Sequence, residues 1–388
     1  MVVAKPPTHL LFRSVTSRSP NRVYPAAMTL LTARDKDRSG IAALMPGAEL
    51  NPPPLLALNN FSVAFQGAGG PVPVVRGIDL KLAPGEALGI VGESGCGKSV
   101  TWLAALRLLG GGVVTSGEVL LKGQDITRLP ERALATIRGG RIGLIFQDPT
   151  SSLNPVQRIG TQLTEVLRLH RGLRGDAAHR EAQRLLDRVG IADAPRRLRQ
   201  YPHEFSGGMN QRVMIALALA GEPEVLIADE PTTALDATIQ AQILDLIRGI
   251  RRESGMGLVL ISHDIGVVAD LCDHVAVMYA GRVVETAATQ DLLSRPRHPY
   301  TRGLLAALPT LGGPRQRLTP IAGTVPAPDR MPPGCAFAPR CSLVIEACRS
   351  ETPPLVLAAQ DQRAACLRLA ETAMAPTAHE PAPAGAFA

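Results

Sequence analysis

One short segment limits what this chain can fold into more than any other. Gly92-Glu93-Ser94-Gly95-Cys96-Gly97-Lys98-Ser99 follows directly on a short apolar run, Ala87–Val91. The segment fits the phosphate-loop pattern, with glycines at its first and sixth positions and Lys-Ser at its end. Glycines let the backbone curl so that successive N–H groups point at one oxyanion. A helix must follow, so that its positive N-terminal end faces the same charge. After Val100, residues Thr101–Leu109 have helical character. In this setting Lys98 is expected to reach the β- and γ-phosphates, and the Ser99 hydroxyl to ligate Mg²⁺. A chance match in a glycine-rich chain would lack the flanking strand and helix. The Cys96 side chain is not required by such a cradle and is assigned no redox role.

A strand–loop–helix unit of this kind belongs in a parallel sheet. Ile142–Phe146, Val225–Ala228, Leu258–Ser262 and Val275–Tyr279 are further short apolar runs, separated by helical stretches. They read as buried strands of an α/β sheet. Leu58–Phe65 alternates as a strand, and Gly67–Pro73 reads as a Gly/Pro turn. Asp236 is a plausible N-cap for a helix with Ile239, Ile243, Ile247 and Ile250 on one face. Glu181–Val189 is a second helix, with Leu185, Leu186 and Val189 facing inward; both apolar stripes are core packing. Residues 150–222 look mostly helical and form a helical insert in the α/β domain.

Chemistry gathers at the strand ends. Val225–Ala228 runs into Asp229 and Glu230. The first acid is placed to hold Mg²⁺ through a water, and the second to polarise an attacking water as general base. His263 stands one residue past its strand, at the same sheet edge, where a neutral imidazole could contact the γ-phosphate and orient the water. Gln147 ends another strand and can reach Mg²⁺ or that water. A lone His, a Gln or a carboxylate pair is usually structural or solvated; the shared sheet edge argues for function here. Phe205-Ser206-Gly207-Gly208-Met209-Asn210-Gln211-Arg212 adds a second anion site, again glycines opening a helix. One chain has no use for two γ-phosphate cradles on one nucleotide. Two facing chains do, if each closes the other's loop.

Taken in order, these elements resemble the ABC ATPase family over about residues 55–285. The resemblance implies a head-to-tail dimer with two nucleotides between the chains and Phe65 stacked on adenine. Ser206, Gly207 and Gly208 would face the partner's γ-phosphate, and Asp236, in Ala234-Leu235-Asp236, would link the two sites. Asn210 departs from the longer polar or basic residue usual there, which puts surface contacts in doubt rather than catalysis. The stretches Phe146–Pro155 and Ala228–Asp236, with His298-Pro299-Tyr300-Thr301, Pro333-Gly334-Cys335 and Arg340-Cys341, are similar to the D-type subunits of peptide importers (dipeptide, oligopeptide and nickel systems). That subfamily implies two membrane permease subunits and a second, different ABC ATPase, with a homodimer as the other arrangement. A substrate-binding protein on the far side of the membrane would act indirectly. Residues 147–155, with Leu153 among them, would meet the permease.

Composition narrows the alternatives. The formal net charge is +7 and only 3% of residues are aromatic. Stacking platforms for nucleic acid are scarce and no basic stripe stands out, so no nucleic-acid partner is expected. A soluble ABC ATPase of DNA repair or ribosomes is the rival reading; such proteins carry two ATPase domains or a long coiled insertion between loop and signature, and this chain has one of each motif. Glu230 and His263 argue against a non-hydrolysing regulator. No apolar run approaches the ~20 residues of a membrane span. The chain is therefore expected in the cytosol, with any membrane role through a partner; the importer resemblance implies a peripheral place on the cytoplasmic side of the inner (plasma) membrane.

Four of the six cysteines, Cys335, Cys341, Cys348 and Cys366, crowd into the C-terminal part. Their spacing lacks the paired Cys-x₂-Cys of a zinc ribbon. Four thiolates suit Zn²⁺ or an iron–sulfur cluster, or stay unliganded; the subfamily resemblance implies a 4Fe–4S cluster. The domain reading is a disordered N-terminal extension at 1–50, with Met28 or Met45 as alternative starts to Met1, and an ATPase domain at 51–294. An importer-type, Cys-rich C-terminal extension follows at 295–372, then a disordered tail at 373–388.

Overall fold

The computed structural model describes residues 53–148, 152–233, 235–307 and 320–374. The two terminal segments read from sequence as disordered, with the alternative starts, lie outside these residues, apart from the last two positions of the helix Leu369–Met374.

Short, fully apolar runs become the strands of a parallel sheet, as their composition requires. Strands β3 (Ala87–Val91), β7 (Val225–Asp229) and β8 (Gly257–Ser262) are buried along their whole length. With β6 (Ile142–Ile145) and β9 (His274–Tyr279) they run parallel in the order β9-β3-β8-β7-β6. Side chains alternate between the two faces of a strand, and here both faces meet apolar partners. Ala87 and Val91 join one core cluster while Leu88 and Ile90 join another; Leu226 and Ala228 divide from Val225 and Ile227 in the same way. One cluster packs against the helical insert, represented by Leu163, Leu167, Leu185 and Leu186. The other packs against a second, four-stranded antiparallel sheet.

That second sheet has the order β2-β1-β4-β5, with β1 at Leu56–Gly67, β2 at Gly70–Leu82, β4 at Val113–Leu121 and β5 at Gln124–Asp125. The turn expected over Gly67–Pro73 is shorter than its Gly/Pro content suggests. The reversal takes place at Gly67–Gly70, and Pro71 and Pro73 already pair with Gln66 and Ala64. Strand β2 stands at the end of its sheet, where a missing N–H donor is tolerated.

Helix α1 (Lys98–Ala105) is also shorter than the Thr101–Leu109 reading. Arg107 takes a left-handed backbone conformation (φ 52°), and its side chain donates to the carbonyls of Thr127 and Leu129 and to Glu131. Helix α2 (Glu131–Ile137) leads into β6. The insert is built on α3 (Ile159–Arg171), α4 (Gly175–Arg188) and α5 (Gly207–Leu219). Helix α6 (Ala237–Ser254) is capped by the Asp236 side chain, which accepts from the Ile239 N–H at 2.9 Å, and it buries Ile243, Ile247 and Ile250.

The C-terminal part is stitched to the same large sheet. Strand β10 (Arg282–Ala288) pairs antiparallel with β9; β12 (Gln362–Ala364) pairs with β10, and β11 (Val356–Ala359) with β12. Glu285 on β10 is fully buried, and burial raises its pKa. It accepts the backbone N–H groups of Arg297 and His298 and the amide of Gln362, and so ties the turn after β10 to β12.

Candidate nucleotide site

The loop after β3 curls over the start of α1. Gly97 caps this helix at φ 102°, a conformation that side chains rarely adopt. Gly92 is required for another reason: a Cβ there would lie 2.2 Å from the Met278 carbonyl oxygen. Lys98 is buried, and its Nζ donates to the carbonyls of Gly92 (2.7 Å) and Glu93 (3.1 Å). The ammonium is thus held back along the loop. The Cys96 sulfur lies 3.8 Å from that Nζ, and burial pushes its thiol up.

The acidic strand end divides its two carboxylates between environments. Asp229 is buried and its pKa is raised, first by desolvation and also by the neighbouring charge of Glu230; a hydrogen bond from Ser99 acts in the opposite sense. Its Oδ1 is buried with no hydrogen-bond partner. An orphan carboxylate oxygen beside the Ser99 hydroxyl suits a hard, oxygen-seeking cation such as Mg²⁺.

Glu230 turns the other way. Its backbone is left-handed (φ 48°) and its N–H is held by the Ile261 carbonyl at 2.9 Å. Strain at a non-glycine residue costs of order 1–3 kcal/mol and persists only where the surroundings impose it. Oε2 accepts from Gln147 Nε2 at 2.9 Å and from Thr233 Oγ1 at 2.9 Å, and Oε1 lies 3.4 Å from His263 Nδ1. The ends of β6, β7 and β8 thus bring Gln147, Glu230 and His263 into one group. Thr233 is a fourth member that the sequence reading did not single out; only its place three residues past Glu230 could have signalled it.

The signature stretch opens α5. Ser206 caps the helix, accepting from the Met209 N–H at 3.3 Å. Gly207 is open, and a Cβ there would find nothing within 4 Å, whereas one on Gly208 would meet Ile239 Cγ2 at 2.8 Å. Asn210 corrects the sequence reading. It is buried rather than a surface contact, and its amide donates to the Pro202 carbonyl at 3.0 Å, which braces the turn before the signature. Leu153 is a second correction: it is buried in the core, while Phe146 and Val156 nearby are exposed, Val156 by 80%. Phe65 is half-buried on β1. Residues 149–151 and Ala234 lie outside the described set.

Two side chains from the C-terminal part reach this loop. Tyr300, in helix α8 (Pro299–Ala306, after the short α7 at Thr289–Ser294), accepts the Glu93 N–H at 2.8 Å through its hydroxyl. Arg340 Nη1 lies 3.0 Å from both carboxylate oxygens of Glu93.

The four C-terminal cysteines converge. Cys335, Cys341, Cys348 and Cys366 all line one small cavity of about 20 Å³, together with His298 and Phe337. No disulfide joins any of the six cysteines. Burial pushes the Cys335, Cys341 and Cys366 thiols up. Among the described residues, no three His, Cys, Asp or Glu side chains stand in ion-holding geometry. The cavity that the four thiols share has room for about one water-sized sphere. A larger cluster would need the surrounding loops to move outward.

A phosphate loop, a carboxylate pair and a polarising group at one edge of a parallel sheet, with a second glycine-led helix start, define a P-loop ATPase. A family model described as "ABC transporter" matches residues 75–233, and one described as "Oligopeptide/dipeptide transporter, C-terminal region" matches residues 284–348. A Brucella abortus (strain 2308) protein, named for peptide import and ATP binding, is 50% identical over 311 residues, covering 78% of this chain and 92% of the relative. A Brucella melitensis biotype 1 protein named in the same way is 47% identical over 333 residues, covering 82% and 98%. Among solved structures, a dimeric ATP-binding cassette in a post-hydrolysis state, bound to ADP and phosphate, aligns with TM-score 0.54 at 27% identity over 60% of this chain and 98% of that one. A subunit of an ABC transporter complex from Clostridium perfringens aligns with TM-score 0.53 at 27% identity over 62% and 91%. The chain belongs to the ATP-binding subunits of ABC transporters, and it is an ATPase.

Proposed function

We propose that this chain energises a membrane importer for peptides or related small solutes. Binding ATP would close a cassette dimer and hydrolysis would reopen it. The observation that carries the reading is the joining of the phosphate-loop engine to the peptide-transporter C-terminal region in one chain. Relatives named for peptide import, matched over nearly their full length, support it.

In this reading residues 92–100 cradle the phosphates, and Lys98 swings from its two carbonyls to the β- and γ-phosphates. Ser99 and Asp229 would hold Mg²⁺, with Gln147 at its edge; the ion would supply charge neutralisation at the phosphates. Glu230 takes the proton of the attacking water. Gln147, Thr233 and His263 fix the orientation of that carboxylate. Phe65 stacks on adenine. Ser206, Gly207 and Gly208 close the partner's site, and Asp236 connects the two sites. Residues 51–294 form the engine, 150–222 its helical insert, and 295–372 the importer-type extension.

Two permease subunits and a second cassette complete the assembly, as a heterodimer or a homodimer, with a substrate-binding protein acting from across the membrane. Among the described residues no helix is long and apolar enough to cross a membrane, so attachment would be peripheral, at the cytoplasmic face. Exposed Phe146 and Val156 flank the glutamine loop and offer the apolar contact for a permease. The four cysteines would hold a 4Fe–4S cluster with a structural or sensory role. Protein purified without air that is colourless and free of iron would remove that part of the reading.

The test of the whole is recovery of tagged protein from detergent-solubilised membranes, comparing wild type with Glu230→Gln in ATP. Two permease chains and a second ATPase are expected. Recovery of ribosomal or DNA-repair partners alone would overturn the importer reading and leave the ATPase standing.

A further inference from the structure

The phosphate loop carries an electrostatic problem of its own making. Its second residue, Glu93, puts a carboxylate on a loop whose task is to bind polyphosphate. An uncompensated negative charge there would oppose the ligand. The compensation comes from far along the chain. Arg340 Nη1 sits 3.0 Å from each Glu93 oxygen, and the Arg340 side chain is only 4% exposed. The rest of its guanidinium is fixed in place: Nε donates to the Ala322 carbonyl at 2.8 Å and Nη2 to Ile321 at 3.3 Å, and the group lies 5.7 Å from the Tyr279 ring centre and 5.9 Å from that of Phe337. Tyr300 holds the Glu93 N–H from the same side, and the Glu93 carbonyl accepts from Lys98. Backbone and side chain of one loop residue are therefore held by the C-terminal extension.

We propose that Arg340 is a positioning residue of the nucleotide site: by neutralising and anchoring Glu93 it sets the shape and charge of the phosphate loop, so that the extension tunes nucleotide affinity. The inference rests on the ATP-binding reading of residues 92–99. Arg340 also immediately precedes Cys341, and Cys335 and Cys341 are bonded to the turn that bears it, the Ala338 N–H donating to the Cys335 carbonyl and the Cys341 N–H to that of Ala338. Any change in the thiol pocket that shifts this turn is passed to the loop through one ion pair.

The test is calorimetric titration of the full chain with Mg·ADP, which is not consumed, alongside steady-state ATPase kinetics. Arg340→Gln is expected to weaken Mg·ADP binding about tenfold, within the 5–150-fold range of typical coupling between sites. KM for ATP rises in parallel while kcat stays within about threefold, because the Glu230 group is untouched. Adding Glu93→Gln to Arg340→Gln restores most of the affinity, since the uncompensated charge is then gone. A double variant as weak as Arg340→Gln, or kcat and affinity falling together, overturns the proposal and leaves Arg340 a packing residue. If Arg340→Gln does not fold, Arg340→Lys takes its place: a smaller loss, again relieved by Glu93→Gln, supports the proposal, and a loss that Glu93→Gln does not relieve overturns it. Failure of wild type to bind Mg·ADP would overturn the ATPase reading itself, and this inference with it.

Discussion

Glu230→Gln separates the chemistry of the site from its architecture. The wild-type carboxylate accepts from Gln147 and Thr233 on Oε2 and faces His263 with Oε1. A glutamine of the same shape keeps one carbonyl oxygen for the two donors and can turn its amide toward His263. The left-handed backbone at this position and the N–H bond to Ile261 do not depend on the side chain. The structural loss is therefore the difference between charged and neutral hydrogen bonds, about 1 kcal/mol. At about 2–4 °C per kcal/mol, that is a small shift of the melting midpoint. Removing the negative charge beside Asp229 also relieves one of the causes that raise its pKa. The chemical loss is of another order. A positioned general base contributes about 10²–10⁴-fold, or roughly 3–5 kcal/mol of barrier at 1.36 kcal/mol per tenfold. Single-turnover phosphate release, with nucleotide affinity and thermal melting measured on the same protein, reads both quantities. Hydrolysis within tenfold of wild type refutes the base assignment. Hydrolysis lost together with nucleotide binding and a large drop in melting point would mean that Glu230 holds the fold rather than the water.

Four further substitutions test other parts of the reasoning. Gly92→Ala places a methyl 2.2 Å from the Met278 carbonyl oxygen; the loop must shift, and we expect about 1–3 kcal/mol of destabilisation with nucleotide affinity at least tenfold weaker, read by urea unfolding and titration. Val156→Asp should move stability by no more than about 0.5 kcal/mol yet uncouple ATPase activity from transported substrate in reconstituted vesicles, whereas Leu153→Asp, at a buried site, should lose on the order of 3 kcal/mol or more; normal stimulation in Val156→Asp would remove this residue from the permease contact. The His274–Glu86 pair, 2.7 Å apart, makes stability depend on pH. The Glu86 hydrogen bond raises the His274 pKa, so that contribution is full below about 6.5 and fades as pH rises through the higher folded value. The Glu86 pKa is lowered overall: burial opposes ionisation, but the His274 bond and the Ala83 N–H outweigh it, so this contribution is present above about 4.5 and fades in acid. Glu86→Gln should therefore cost most between about pH 5 and 6 and less at about pH 8, by under about 1 kcal/mol after solvent screening; a urea midpoint difference independent of pH would count against the pairing.

The legible parts of this chain are those whose chemistry is written in one contiguous stretch. A phosphate loop, an acidic strand end and a glycine-led helix cap each need only neighbours in sequence. Strands β3, β6, β7 and β8 could be read because both faces are apolar. The antiparallel sheet was mostly hidden. Its pairing is non-local: β1 was read from the alternation of Leu58–Phe65, while its partners β2 and β4 were not read as strands. Asn210 was misread because burial of a polar side chain depends on an acceptor, the Pro202 carbonyl, that only the folded turn presents. The ion pair between Glu93 and Arg340 spans 247 positions and leaves no periodic trace.

The placement of that pair follows from topology. Strands β3, β6, β7 and β8 are parallel, so the loops that leave their C-terminal ends share one edge of the sheet, and the site forms there. Strand β9 runs the same way and delivers Tyr279 to the same edge. The chain then reverses into β10, which leads away from the site. His298-Pro299-Tyr300 brings it back, with the His298 Nδ1 accepting the Tyr300 N–H at 3.1 Å to start the helix. In a chain with only 3% aromatics, Tyr279, Tyr300 and Phe337 nevertheless cluster, with ring centres 4.6–5.5 Å apart. Such ring pairs add about 0.5–1.5 kcal/mol each beyond the area they bury. Rigid rings are a suitable mount for a hydroxyl and a guanidinium that must meet one loop residue at hydrogen-bond distance. Tyr300→Phe would keep the cluster and remove only the acceptor of the Glu93 N–H, so any loss of nucleotide affinity in that variant would come from the loop contact and not from the packing beneath it.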